Sequence, residues 1–367
     1  MIEYIKIEGY KSIKSIELEL EPINVFIGSN GAGKSNFVSF YRMIHAIFNR
    51  QLQKYVIEHK ADRLLYFGRK RTENMYGKMI FSDDNAANNA YWFNLQQTEE
   101  GGLYIDKEGS GYNVSRDNDT DNYIVNSNLE ESKIAKETTM QHVDLSKHLS
   151  NVQIYHFHDT SSTSMLRQEC NLDDNRYLKS DGRNLPAFLY KLKQEYPKKF
   201  RRLLKTIQSI APYIHDFILE PKGKNKDEIA LNWIETTDID SFFTAYQFSD
   251  GTLRFIALAT VLLQADPPKV IVIDEPELGL HPQAVTKLSG LIKSISLKTQ
   301  VIISTQSVNL VACFSPKDVI TVDRDIEEKQ STFKRLDSEK LQHWLEDHTL
   351  GELWERNIIN SAQPFIK

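Results

Sequence analysis

The octapeptide Gly28-Ser29-Asn30-Gly31-Ala32-Gly33-Lys34-Ser35 limits what this chain can fold into more than any other segment. Its three glycines let backbone N–H groups converge on an anion, Lys34 can reach outer phosphates, and the Ser35 hydroxyl can ligate a divalent metal. Such a loop works between a buried strand and a helix. Ile23-Asn24-Val25-Phe26-Ile27 precedes it as a short buried strand, and Phe37, Phe40, Tyr41, Ile44 and Ile47 follow at helical spacing, predicting a helix from Asn36 to about Leu52. The candidate nucleotide contacts here are Asn30, Gly31, Ala32, Gly33, Lys34, Ser35 and Asn36.

A second segment supplies a partner for that loop. Val270-Ile271-Val272-Ile273 is an apolar run ending in Asp274-Glu275-Pro276. At a strand's carboxyl end Asp274 is placed to hold Mg²⁺ with Ser35. Glu275, one residue on, faces differently and is the candidate base for an attacking water. The plainer reading, an acidic cap on the next helix, leaves the phosphate loop without a carboxylate. Upstream, Phe248-Ser249-Asp250-Gly251-Thr252 opens another helix, with Ser249 25 residues before Asp274 (274 − 249). A serine there is ordinary capping chemistry. The free N–H groups and dipole of the same helix end also make an anion site. In its own subunit the loop already surrounds one side of a triphosphate, so Ser249, Asp250 and Gly251 are useful if they close over a partner's γ-phosphate.

Composition narrows the class. A chain of 367 residues with formal charge −5, 40% hydrophobic and 26% charged, reads as a soluble globular protein with a sizeable core. That balance exerts no global pull on nucleic acid, so any such binding must come from local patches. Cys170 and Cys313 lie far apart, which fits a reducing compartment and no disulfide frame or zinc site. The N-terminus has no signal-peptide architecture, and the longest apolar stretch, 255–263, is too short for a bilayer. A cytoplasmic location without membrane contact is expected.

Along the chain, residues 1–27 read as strands, and 76–125 as short strands between Asn-, Asp- and Gly-rich turns at 85–89, 99–102 and 115–122. Residues 152–157 look like a strand ending at His158-Asp159-Thr160. Residues 184–215 are helical in pattern, interrupted at Pro197. A helix over 282–296, strands at 300–304 and 318–322, and a mostly helical tail follow. Continuous Val/Ile runs separated by helices imply a parallel sheet covered on both faces.

The phosphate loop, the Ser249 segment and the Asp274 segment, in that order and spacing, resemble the ABC-type ATPases, and within them the RecF/SMC/OLD-like branch. Ile5-Lys6-Ile7-Glu8-Gly9-Tyr10-Lys11-Ser12-Ile13 looks like the first hairpin of that branch, and Glu277-Leu278-Gly279-Leu280-His281-Pro282 like its loop after the carboxylates. Residues 155–160, 248–255 and Ser304-Thr305-Gln306-Ser307 are similar to a bacterial group of small AAA/ABC ATPases often paired with a separate TOPRIM-like protein. The resemblance implies an α/β fold of the P-loop NTPase, ABC-head type, with a central, mostly parallel sheet, N-terminal antiparallel strands and an inserted helical lobe. It also implies one ATPase domain with a nucleotide lobe (1–155 and 265–367) and a helical lobe (156–264) carrying Ser249. Two such heads would form a homodimer sandwiching ATP and Mg²⁺, with higher assemblies of dimers a common extension. The expected function is slow ATP hydrolysis as a switch or scaffold for a partner effector, a TOPRIM-like nuclease or DNA, in anti-phage defence. By position, Ser35 and Asp274 hold the metal, Glu275 is the base, and Gln306 stands where a histidine usually senses the γ-phosphate. His281 stands where many relatives carry an aspartate, and His158 or Asp159 falls near the usual glutamine of the lobe-connecting loop.

Other segments carry weaker signals. Asp323 and Asp325 resemble a nuclease carboxylate pair, but strand-end aspartates are common in turns. His156 and His158 alternate like metal ligands without a third partner. The run Lys191, Lys193, Lys198, Lys199, Arg201, Arg202, Lys205 is a solvated helix face or a phosphate contact, while Lys222, Lys224 and Lys226 fit a turn. The rival functions are a DNA repair ATPase acting directly on DNA, a phosphotransferase using the same loop, a transporter ATPase subunit and an interaction platform.

Overall fold

The computed structural model describes residues 1–82, 88–112, 114, 123–134, 140–222 and 226–359. The expected turns within 83–87 and 115–122, and Lys224, lie outside the described residues. The chain divides into two compact units. One is Met1–Gln153 with Lys269–Val272 and Thr299–Lys367, the other Ile154–Pro268 with Ile273–Lys298.

The first unit holds two six-stranded sheets. One is an antiparallel meander in the order Ile13–Glu19, Ile2–Tyr10, Asn74–Phe81, Asn89–Gln97, Leu103–Tyr112, Tyr123–Leu129. The other runs Ser331–Arg335, Val319–Arg324, Ile23–Ile27, Gln300–Thr305, Val270–Asp274, Val152–Tyr155. In this second sheet Ile23–Ile27 pairs parallel with both neighbours, Ile27 standing opposite Thr305 and Thr321. Every residue of Ile23–Ile27 and Gln300–Thr305 is buried, as a parallel sheet with two covered faces requires.

The helix Lys34–Phe48 explains why both sheets sit in one core. Phe37 packs on Phe26 of the parallel sheet with ring centres 4.3 Å apart, while Phe40 lies 5.2 Å from Tyr10 and 6.1 Å from Phe93 of the meander. Both phenylalanines are fully buried, and truncating either to alanine removes about 3–5 kcal/mol. The buried amide of Gln300 adds a polar tie. Its Oε1 accepts from Ile2 N at 3.0 Å, and its Nε2 donates to Ile2 O at 2.8 Å and Glu21 O at 3.0 Å.

The tail after Val319–Arg324 departs from the helical expectation. Ser331–Arg335 is a strand, antiparallel to Val319–Arg324 with Val322 opposite Phe333. Its Lys334 and Arg335 suit an edge strand, where charge discourages unwanted pairing, and they mask the alternation that sequence reading relies on. The short helices Ser338–Leu341 and Leu350–Glu355 follow.

The second unit is helical with small sheets. Its helices are Leu185–Glu195, Pro197–Gln208, Asp250–Leu263 and Pro282–Ile295. Pro197 starts the second of these, in the first turn where a missing N–H costs nothing. The helical stretch expected over 184–215 ends at Gln208, and its last two positions belong to the strand Ile214–Ile218. It joins Asn232–Glu235 and Asp238–Thr244 in a three-stranded antiparallel sheet. Asp250–Leu263 is apolar on nearly all sides and buried from Leu253 to Leu262, the pattern of a central helix. Among the described residues no helix is long and apolar enough to cross a membrane.

Candidate functional site

In the first unit, the parallel strand Ile23–Ile27 delivers the chain into the phosphate loop and Lys34 begins the helix. Gly33 has φ +123, and a Cβ there would lie 2.2 Å from Ser331 Oγ, so no other residue fits without displacing the loop. Lys34 is buried at 5% exposure and its Nζ donates to Gly28 O at 2.7 Å and Ser29 O at 3.0 Å. The ammonium is thereby curled over the loop it serves. Asn30, Gly31 and Ser35 are exposed and Ala32 is buried, so the loop's rim and the first-turn hydroxyl face solvent. Asn36 is half-buried and its Nδ2 donates to Ser12 Oγ at 2.7 Å.

Ser331, from the edge strand missed in the sequence, braces this loop. Its Oγ lies 2.5 Å from Ala32 O and 2.7 Å from Ser12 Oγ, and its backbone N donates to Ser12 O at 2.8 Å. Beside them Lys11 Nζ donates to Ser39 Oγ at 2.8 Å. Burial, and secondarily the charge of Arg42, lowers its pKa to about 8. Lys11, Ser12, Asn36, His59, Arg63 and Arg324 line an open cleft of about 650 Å³ next to the loop. Gln306 is exposed immediately after Thr305, whose register with Ile27 makes Gln306 leave the sheet at the same edge as Gly28. The glycine-bearing loop, the curled ammonium and the open Ser35 hydroxyl fit a nucleoside triphosphate, and Ser35 is the donor type Mg²⁺ takes.

The second unit carries the carboxylates and the serine-tipped helix. Asp274 is 9% exposed at its strand's end. Glu275, half-exposed, adopts φ +44, an uncommon backbone for a side chain of this kind and the sort of strain that collects at functional turns. Of the two loop candidates, His158 touches this strand, its Nε2 2.9 Å from Asp274 O. Asp159 instead accepts from Ser161 Oγ at 2.7 Å and Ser161 N at 3.0 Å, bonds that hold its pKa below the ordinary value. His281 caps Pro282–Ile295, its Nδ1 accepting from Gln283 N.

Ser249 is the N-cap of Asp250–Leu263, its exposed Oγ accepting from Thr252 N at 3.2 Å. Behind it Phe248 is buried and stacks on Trp233, ring centres 4.9 Å apart. Two buried guanidiniums hold what surrounds this tip. Arg167 donates to Ala245 O at 2.5 Å, Phe248 O at 3.1 Å, Thr160 O at 2.9 Å and the Asp250 carboxylate at 2.8 Å. Arg254 donates to Phe157 O at 2.7 Å, His158 O at 2.8 Å and Leu278 O. Gly251 completes the join, since a Cβ there would stand 2.5 Å from Gly279 O. The serine tip, the His158 loop and the turn after Glu275 are therefore one assembly. Arg254 lies in a segment the sequence singled out, whereas nothing local marks Arg167 or Ser331.

The remaining candidates resolve into local structure. Asp325 Oδ1 accepts from Glu327 N and Glu328 N at 2.9 Å, so it shapes a turn. His156 and His158 have ring centres 6.0 Å apart. Among the described residues no group of three or more His, Cys, Asp or Glu side chains could hold a metal ion.

Comparison with known proteins agrees with this geometry. Residues 23–312 match the family model described as "AAA domain, putative AbiEii toxin, Type IV TA system". An Smc head solved with the C-terminal winged-helix domain of ScpA matches at TM-score 0.62 and 14% identity, over 93% of this chain and 99% of that one. A second Smc head with an extended coiled coil, bound to the C-terminal domain of ScpA from Pyrococcus furiosus, matches at TM-score 0.59 and 16% identity, over 94% and 98%. At such identities the likeness is one of fold, and that fold is an α/β P-loop ATPase head. The energy-coupling factor transporter ATP-binding protein EcfA2 of Staphylococcus aureus (strain MRSA252) is 36% identical over 104 residues, 27% of this chain. The match spans 35% of that relative's length.

Proposed function

The chain belongs to the AAA-domain family whose model it matches over residues 23–312, and on that premise we propose that it binds and hydrolyses ATP as a homodimer that switches a separate effector. In this reading each ATP lies between the phosphate loop of one protomer and Ser249-Asp250-Gly251 of the other. The observation that carries it is an exposed Ser249 at the open end of a buried helix, with its surroundings fixed by Arg167 and Arg254. A helix end so held offers N–H groups and a dipole to an anion at little reorganisation cost.

The backbone of 30–36 and Lys34 bind the phosphates. Ser35 and Asp274 would hold Mg²⁺, which neutralises phosphate charge when bound. Glu275 accepts the proton of the attacking water, and the Gln306 amide donates to the γ-phosphate without adding charge, which makes turnover slow. The effector is proposed to be a TOPRIM-like nuclease encoded separately, and the setting defence against phage in the cytoplasm.

The shared site is tested by mixing. Lys34→Ala and Ser249→Arg should each abolish turnover. A mixture restores one intact site in each heterodimer, so about a quarter of wild-type activity should return in a two-fold dimer. No recovery in a mixture shown to contain heterodimers sinks the shared site. Activity per molecule that is independent of protein concentration would favour a phosphotransferase-like monomer instead.

A further inference from the structure

Helix Pro197–Gln208 of the second unit carries five cations, Lys198, Lys199, Arg201, Arg202 and Lys205, and no carboxylate. Its apolar side, Phe200, Leu203 and Ile207, is buried. Four of the cations, 198, 201, 202 and 205, recur at three- and four-residue spacing and so share one face. That face and Lys287 of helix Pro282–Ile295 line an open cleft of about 500 Å³ whose only other lining residue is Thr206. All five charges are exposed, and none of them has a carboxylate partner among the described residues.

This arrangement is costly unless something anionic meets it. The pairs 198/201, 198/202, 201/205 and 202/205 each repel by about 0.2–0.5 kcal/mol on a helix. A face kept merely for solubility mixes signs, and this chain has acid to spare, with 50 Asp and Glu against 45 Lys and Arg. The cleft lining contains no aromatic side chain, so unpaired bases have nothing to stack on. A row of cations at regular helical spacing suits the evenly spaced phosphates of a paired double helix. We propose that this cleft binds the phosphodiester backbone of duplex DNA without regard to sequence. Lys198 to Lys205 spans seven residues, about 10 Å of helix, a length over which a duplex carries about six phosphates on its two strands, so the five cations of the cleft can neutralise four or five.

The site stands apart from the ATPase reading and fails separately from it. The test is fluorescence anisotropy of the full chain with a labelled duplex of about 30 base pairs across a salt series. Neutralising four or five phosphates should make log affinity fall with log salt at a slope of about −4. The Arg201→Glu/Lys205→Glu variant should bind at least about tenfold more weakly at 0.1 M salt, with a slope shallower by about two. Its melting temperature and its ATP turnover without DNA should match wild type. The proposal is overturned if wild type shows no salt-dependent duplex binding or if the variant binds equally well. It is also overturned if a single strand or polyglutamate of equal charge binds more tightly than the duplex.

Discussion

The phosphate loop and the serine-tipped helix are both candidate anion sites, yet they are held in opposite ways. Lys34 donates to carbonyls six and five residues back, Gly28 and Ser29, while Ser331 comes to the loop from the far end of the chain. The serine tip hangs on residues remote in sequence. Arg254 reaches 97 and 96 positions back to Phe157 and His158, and Arg167 reaches 83 forward to Asp250. A cradle made of its own backbone can be recognised in a string of letters. One suspended from distant guanidiniums is visible only once the chain has folded.

The sharpest test of the second half is Glu275→Gln. If the strained turn presents a general base, turnover should fall roughly 10²–10⁴-fold while ATP binding persists, measured by single-turnover hydrolysis beside equilibrium nucleotide binding. Unchanged turnover would remove Glu275 from that role.

Arg254→Met should come next, leaving three backbone carbonyls without their donor and costing about 2–5 kcal/mol in urea unfolding. Arg254→Lys should rescue little, because a single ammonium cannot reproduce the planar fork that meets Phe157, His158 and Leu278 together. Full rescue by lysine would erase the difference between the two sites.

Ser331→Ala should cost only about 1 kcal/mol and weaken ATP several-fold, since the loop's own backbone remains. A loss as large as that of Arg254→Met would show that the loop, too, depends on remote support. A pH-dependent effect concerns Lys11, whose pKa falls from 10.5 to about 8 on folding, chiefly through burial. The folded chain gives up this proton before the unfolded chain does, so stability from this group rises between pH 8 and 10.5 and its penalty is complete below pH 8. Lys11→Met should therefore unfold at higher urea than wild type at pH 7, with the gap closing towards pH 10.5.

Legibility in the sequence followed the same division. Ile23–Ile27, Lys34–Phe48 and Val270–Asp274 could be read because their apolar runs are buried and their breaks fall at Gly or at paired carboxylates. Asp250–Leu263 was legible from its capping serine and continuous hydrophobicity. Ser331–Arg335 was not, because its partner strand and its edge position, rather than its polar letters, make it a strand. The sheet built from 214–218, 232–235 and 238–244 also escaped. Its outer strand is exposed from Asp238 to Phe242 and shows no buried face to read. Where each candidate residue stands could be foreseen from motif order, but what steadies it could not.

Arg254 carries one more implication. A stiff planar cation fastened to Phe157 and His158 of one loop and to Leu278 of another acts as a rocker that couples the two. Pressure applied at Ser249 from outside would travel along the helix to that fulcrum and reappear as a tug on the turn bearing Glu275.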